Sequence, residues 1–170
     1  MSFSFVPEVT GGARAALFLA AAAGIQLRLL CNLLDGMLAV EGGFKSKTGE
    51  LYNELPDRIA DVLILVGAGY SVRDLAYGVP LGWAAAMLAV FTAYVRLLGG
   101  SLGVTQHFIG PMAKQHRMFT LTLVTLLAAG ETLLDVRPWA IRVGLAIIVA
   151  GSILTAVRRT RRIAGEVVAR

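Results

Sequence analysis

Apolar stretches separated by short polar segments dominate the chain. They cover residues 15–40, 57–69, 81–103, 118–134 and 139–157, and the second has a possible extension to residue 79. Several approach the roughly 20 apolar residues that a helix needs to cross a bilayer. The short alternating strands of a membrane barrel are not visible in the sequence. The pattern therefore predicts an all-α, polytopic transmembrane helix bundle with about five membrane spans.

Composition supports a membrane protein. Hydrophobic residues make up 56% of the 170 residues and charged residues 16%, and the mean hydropathy is +0.71. A soluble domain would carry about a quarter charged residues. Neither an internal repeat nor a low-complexity tract divides the sequence, so we predict a single integral membrane domain over residues 1–170. Cys31 is the only cysteine, which excludes an internal disulfide.

The net charge of +5 is distributed unevenly between the predicted loops. With five spans, residues 41–56, residues 104–117 and the C-terminal tail lie on one side. That side carries Lys45, Lys47, Lys114, Arg117, Arg158, Arg159, Arg161 and Arg162. Basic loops mark the cytoplasmic face of a membrane protein. We therefore predict that residues 32–61 face the cytoplasm. No basic patch interleaved with aromatic residues is visible, so we predict that the protein binds no nucleic acid.

Residues 32–61 concentrate polar side chains between two apolar stretches. Asn32 and Asp35 are three residues apart, and Asn53, Asp57 and Asp61 follow one another at intervals of four. Such spacings place side chains on one side of a helix. Two oxygen-rich faces that meet in a bundle suit a hard divalent cation. The sequence therefore predicts a Mg²⁺ or Mn²⁺ site formed by these five residues.

Pro56 leaves the start of the second helix open. Proline is tolerated in the first turn of a helix but kinks a helix interior. Either the helix begins near Leu55, or it begins near Glu50 and bends. The first alternative would move Asn53 off the regular face that carries Asp57.

The nearby cations also have two interpretations each. Arg28 either extends to the membrane interface or reaches Asp35 or a phosphate group. Asp61 either supports the metal site or forms a simple pair with Arg58. Lys114 and Arg117 either mark the topology or bind phosphate. The histidines of the second polar loop, His107 and His116, are interpreted as solvated or as head-group contacts.

The spacing from residue 32 to residue 57 resembles the signature of the CDP-alcohol phosphotransferase (phosphatidyltransferase) family. That signature reads Asp-x-x-Asp-Gly-x-x-Ala-Arg, a short spacer, and then Gly-x-x-x-Asp-x-x-x-Asp. The matching positions are Asp35, Gly36, Ala39, Gly49 and Asp57. Asn32, Val40 and Asn53 stand where the signature has Asp, Arg and Asp.

The resemblance implies a six-helix bundle that is here shortened, with the N-terminal helix short, missing or replaced by residues 1–10. It implies a transferase of phospholipid biosynthesis that moves a phosphoalcohol group from a CDP-alcohol, such as CDP-diacylglycerol, to an acceptor hydroxyl and releases CMP. Two metals would be held by the Asp positions, and Asp57 would be the general base. The substrate-binding residues would be Gly36, Ala39, Gly49, Arg96 and Lys114.

The departures from the signature leave alternatives open. Asn32 and Asn53 remove two negative charges, and Val40 removes an arginine that could contact phosphate. One metal instead of two, an unusual substrate and a loss of catalysis are each compatible with these changes. The alternative function is a catalytically silent homologue that binds lipid or nucleotide, or that acts as a partner subunit. Glycines of the third span, Gly99 and Gly100, would allow a homodimer to pack there.

Overall fold

The computed structural model describes residues 10–41, 48–105 and 109–169, and it gives residues 38–41 and 50 by backbone alone. Over these residues the chain forms five helices and no strand. The helices are α1 (Gly11–Glu41), α2 (Gly49–Ser71), α3 (Gly78–Ser101), α4 (Lys114–Leu133) and α5 (Trp139–Val168). The all-α prediction is confirmed for this part of the chain. Residues 1–9, which together with Thr10 were one predicted replacement for an N-terminal helix, lie outside the described residues.

Within the described part of the chain, three helices contain a stretch long and apolar enough to cross a membrane. The stretches are Gly11–Met37, Gly78–Ser101 and Trp139–Val168, in α1, α3 and α5. These three helices indicate a membrane protein. The apolar part of α2 is shorter, because Asp57, Arg58 and Asp61 occupy its first half. The predicted count of five spans stays a prediction.

The helix α2 resolves the alternatives that Pro56 left open. It begins at Gly49, after Thr48, and continues through Pro56 to Ser71. Asn53, Asp57 and Asp61 therefore lie on one continuous helix. The interior proline removes one backbone donor, a cost that the contacts of the helix with its neighbours must offset.

The helices pack in a defined set of pairs. α2 packs on α3, α1 packs on α4, and α5 packs on both α3 and α4. The α2–α3 contact depends on small residues, since a Cβ atom on Gly69 would lie 2.8 Å from the Cα atom of Gly82. Backbones can approach this closely only where both side chains are absent. Fully buried core side chains include Leu65, Ala85, Leu121, Leu145 and Ile148.

Contacts at the two ends of the bundle show how the helices are aligned. At one end, the Arg14 guanidinium donates to the Ser71 carbonyl at 2.9 Å. At the same end, the Glu131 carboxylate accepts from the backbone N–H of Ala140 at 3.1 Å. The opposite end brings Arg28 and Asn32 of α1 and Lys114 of α4 to Asp57 of α2. The polar stretch singled out in the sequence lies at this second end.

Candidate functional site

The Asp57 carboxylate joins three helices. Its Oδ1 atom accepts hydrogen bonds from Asn32 Nδ2 at 3.0 Å and from Arg28 Nη2 at 2.8 Å, both on α1. Its Oδ2 atom is paired with Lys114 Nζ at the start of α4. The side chain is buried, with 9% of the residue exposed. The two halves of the sequence pattern, one on α1 and one on α2, therefore meet at Asp57.

Asp61 lies one turn further along α2 and is fully buried. Its Oδ1 atom is 2.7 Å from Arg28 Nη1, and its Oδ2 atom is 3.4 Å from Arg117 Nη2. Arg58 Nη1 is 4.0 Å from the same Oδ2 atom. Arg28 therefore bridges Asp57 and Asp61, instead of reaching Asp35 or extending to the membrane interface as the sequence allowed.

A third carboxylate, Glu54, links α2 to α3. Its Oε1 atom is 2.7 Å from Arg96 Nη2, and its Oε2 atom is 3.4 Å from Arg58 Nη2. Arg96 was predicted to hold an acidic head group. In the structure its guanidinium lies at the same end of the bundle as Asp57, where it contacts the Glu54 carboxylate.

These side chains surround a cavity of 520 Å³ that residues of all five helices line. Its charged lining residues are Glu54, Asp57, Arg58, Arg96, Lys114, Arg117 and Arg159. Asn32 and Lys114 also line a neighbouring cavity of 390 Å³. The size of the larger cavity falls within the range of about 300–1,000 Å³ that is typical of small-molecule sites.

Only some of the other predicted site residues line this cavity. Asn53 is exposed and lines it. Gly36 lines the neighbouring cavity, and Gly49 is the first residue of α2. Asp35 is exposed on α1 and lines neither of the two cavities. The side chain of Ala39 lies outside the described residues.

The side chains as arranged do not fit a divalent cation. Both oxygens of Asp57 are paired with cations, and Asp61 lies between arginines. Within the described ranges, no three His, Cys, Asp or Glu side chains are grouped as a metal site would require. Mg²⁺ or Mn²⁺ would have to displace Lys114 and Arg28 from Asp57. Metal binding by Asn32, Asp35, Asn53, Asp57 and Asp61 stays a prediction.

Two buried arginines were not recognised as a pair of site residues from the sequence. Arg117 and Arg159 are 1% and 5% exposed. Helical spacing could have indicated both, because each lies four residues from a buried position, Leu121 and Thr155. Among the described arginines of the tail, only Arg159 lies four residues from a buried position, and Arg158, Arg161 and Arg162 are exposed.

Arg159 holds the segment that leads into α4. Its Nε atom donates to the Ile109 carbonyl at 2.9 Å, and its Nη1 atom donates to the Thr92 carbonyl at 2.9 Å. The Thr155 hydroxyl accepts from the backbone N–H of Met112 at 3.0 Å. These bonds fix the segment against α3 and α5, and so place Lys114 against α2.

Arg117 carries its charge in a buried position. Burial lowers the pKa of its guanidinium from the ordinary range, and the Asp61 carboxylate opposes that change. Arginine nevertheless stays charged in proteins. A buried guanidinium that stays charged needs anionic partners, and Asp61 is one of them.

Comparison with known proteins adds no relative. No family model matches the chain, and the searches of curated proteins and of solved structures returned no significant match. The resemblance to CDP-alcohol phosphotransferases therefore depends on the residue pattern between positions 32 and 57.

Proposed function

We propose that this chain is an integral membrane transferase of the CDP-alcohol type. The observation that carries the proposal is the hydrogen bond from Asn32 to Asp57, at 3.0 Å, on the wall of a cationic cavity. It joins two halves of a signature-like pattern that lie on different helices. Positive groups favour the binding of a diphosphate, and a carboxylate beside them can take a proton from the acceptor.

The reaction would use the side chains around the cavity. The acceptor hydroxyl oxygen forms a bond to the phosphorus next to the donor alcohol, and the bond from that phosphorus to the CMP oxygen breaks. Asp57 takes the hydroxyl proton. Arg96 and Arg117 offset the negative charge of the diphosphate. Lys114, whose side chain is 24% exposed, would leave Asp57 so that the acceptor hydroxyl could approach.

An apolar cleft favours a lipid-linked donor such as CDP-diacylglycerol. The cleft has a volume of 320 Å³ and lies between α1, α2 and α4, where Phe18, Ile25 and Ile64 line it. Ile25 is one turn from Arg28, and Ile64 is one turn from Asp61. We propose that an acyl chain of the donor occupies this cleft.

The proposed location follows from the same geometry. The cavity lies at the end of the bundle that carries Lys114, Arg117 and Arg159, and the positive-inside rule assigns basic segments to the cytoplasm. Nucleotide-linked donors are made there. We therefore propose a bacterial inner membrane protein with a site that opens to the cytoplasm.

A second candidate is a catalytically silent homologue that binds a lipid or nucleotide. The pairing of Asp57 with both Lys114 and Arg28 favours it. A carboxylate held by two cations is a poor proton acceptor. Asn32 and Asn53 also favour the silent homologue, because they remove two negative charges that the signature has at these positions.

Release of CMP distinguishes the two candidates. The purified full chain in detergent would be given CDP-diacylglycerol and a panel of acceptor alcohols, with Mg²⁺, with Mn²⁺ and with a chelator. We expect CMP only when donor and acceptor are both present. Binding of CDP-diacylglycerol without CMP release under any of these conditions would contradict the transferase and favour the silent homologue.

A further inference from the structure

The Arg117 guanidinium lines the cavity with part of its hydrogen-bonding capacity unused. Its Nη2 atom lies 3.4 Å from Asp61 Oδ2. Its Nε and Nη1 atoms are buried and have no acceptor among the described residues. Arg58 Nε, on the facing helix, is also buried without an acceptor. Buried donors of this kind are nearly always satisfied in native proteins, so these N–H groups are suited to bind an acceptor that enters the cavity.

The charges around the cavity indicate which kind of acceptor fits. Five Lys and Arg side chains and two carboxylates line it among the described residues, an excess of three positive charges. Excess charge in a membrane protein is costly unless a counter-charge is present. Arginine N–H groups match the oxygens of phosphate in a bidentate geometry. The acceptor that fits this lining best is therefore an anion with several oxygens and more than one negative charge.

The same charges argue against a metal as the first ligand. A divalent cation would enter a region with an excess of positive charge, and both oxygens of Asp57 already have cationic partners. An anion would meet neither obstacle, because it could accept directly from the unpartnered N–H groups of Arg58 and Arg117.

We propose that Arg58, Arg96 and Arg117 bind a phosphate or diphosphate group directly, without a divalent cation. These three side chains come from α2, α3 and α4, so the anion would connect three helices. The inference rests on the proposed function for the source of the group, a nucleotide diphosphate linked to a lipid. Direct binding itself depends only on the cavity and its charges.

Calorimetric titration with inorganic pyrophosphate tests the proposal. The purified full chain in neutral detergent would be titrated in the presence of a chelator. We expect saturable binding, and we expect Arg117→Gln to weaken it by about 10-fold or more, because charge-assisted hydrogen bonds to the anion are lost. Arg96→Gln, at a less buried position, should also weaken binding and covers the case in which Arg117→Gln does not fold. Arg158→Gln, an exposed arginine on α5, should bind as the wild type does.

Three results would overturn direct binding. They are no binding at all, binding only when Mg²⁺ or Mn²⁺ is added, and an affinity in both the Arg96 and the Arg117 variant equal to that of the wild type. Titrations with cytidine diphosphate and with phosphatidic acid in the same micelles would identify the source of the group, and either order of affinity supports direct binding. Pyrophosphate binding in chelator without CMP release would reject the transferase alone. Metal-dependent CMP release without binding in chelator would reject this inference alone.

Discussion

Replacing Asp57 with asparagine is expected to lower CMP release by about 10²–10⁴-fold, the contribution typical of a positioned general base. The amide keeps the shape of the side chain and can still accept the hydrogen bond from Asn32. It cannot take a proton from the acceptor hydroxyl. Initial rates of CMP release from CDP-diacylglycerol, compared at equal amounts of folded protein, measure the effect.

Asp74→Asn is the matched control for this variant. Asp74 is exposed in the turn after α2, at the end of the bundle away from the cavity. The same chemical change there should leave the rate of CMP release unchanged. A rate in Asp57→Asn equal to the rate in Asp74→Asn would show that Asp57 takes no proton in the reaction.

Asp61→Asn is expected to lower the free energy of unfolding by about 3–5 kcal/mol, the usual cost of removing one partner from a buried ion pair. Asp61 is fully buried and contacts Arg28 and Arg117. The neutral amide would leave Arg117 buried without its carboxylate. Unfolding by denaturing detergent, followed by circular dichroism in the presence of a chelator, measures the change.

Two further variants make the Asp61 result interpretable. Asp35→Asn makes the same change at an exposed position of α1, and we expect it to change the free energy of unfolding by at most about 0.5 kcal/mol. Asp61→Leu combined with Arg117→Met removes both charges and should be more stable than Asp61→Asn. Equal stability of Asp61→Asn and Asp35→Asn would contradict a buried ion pair at Asp61.

The helices could be predicted because their signal is local. Apolar stretches such as residues 81–103 and 139–157 are longer than a loop would contain. The helices α3 and α5 include most or all of these residues. The helix ends were less predictable. α2 begins at Gly49 despite Pro56, and α5 continues through the tail arginines to Val168. The residues at these helix ends are largely polar, so the hydrophobic pattern does not show where the helix begins or ends.

The meeting of Asn32 with Asp57 was expected from the pattern, but the cationic partners of Asp57 were not. Arg28 and Lys114 are 29 and 57 residues away from it in sequence. Such contacts depend on which helices pack together, and helical spacing within one segment holds no information on that. The sequence therefore indicated an oxygen-rich metal pocket, whereas the packing of α4 and α5 adds Lys114, Arg117 and Arg159 to it.

The location of the diphosphate in a structure determined with bound CDP-diacylglycerol tests the central claim most directly, namely that Arg58, Arg96 and Arg117 form a phosphate site beside Asp57. The account predicts the diphosphate inside the cavity, within hydrogen-bond distance of Arg96 and Arg117 and beside Asp57. A diphosphate bound outside the cavity, or held by metal ions on Asp35 and Asp57 with the arginines turned away, would contradict it.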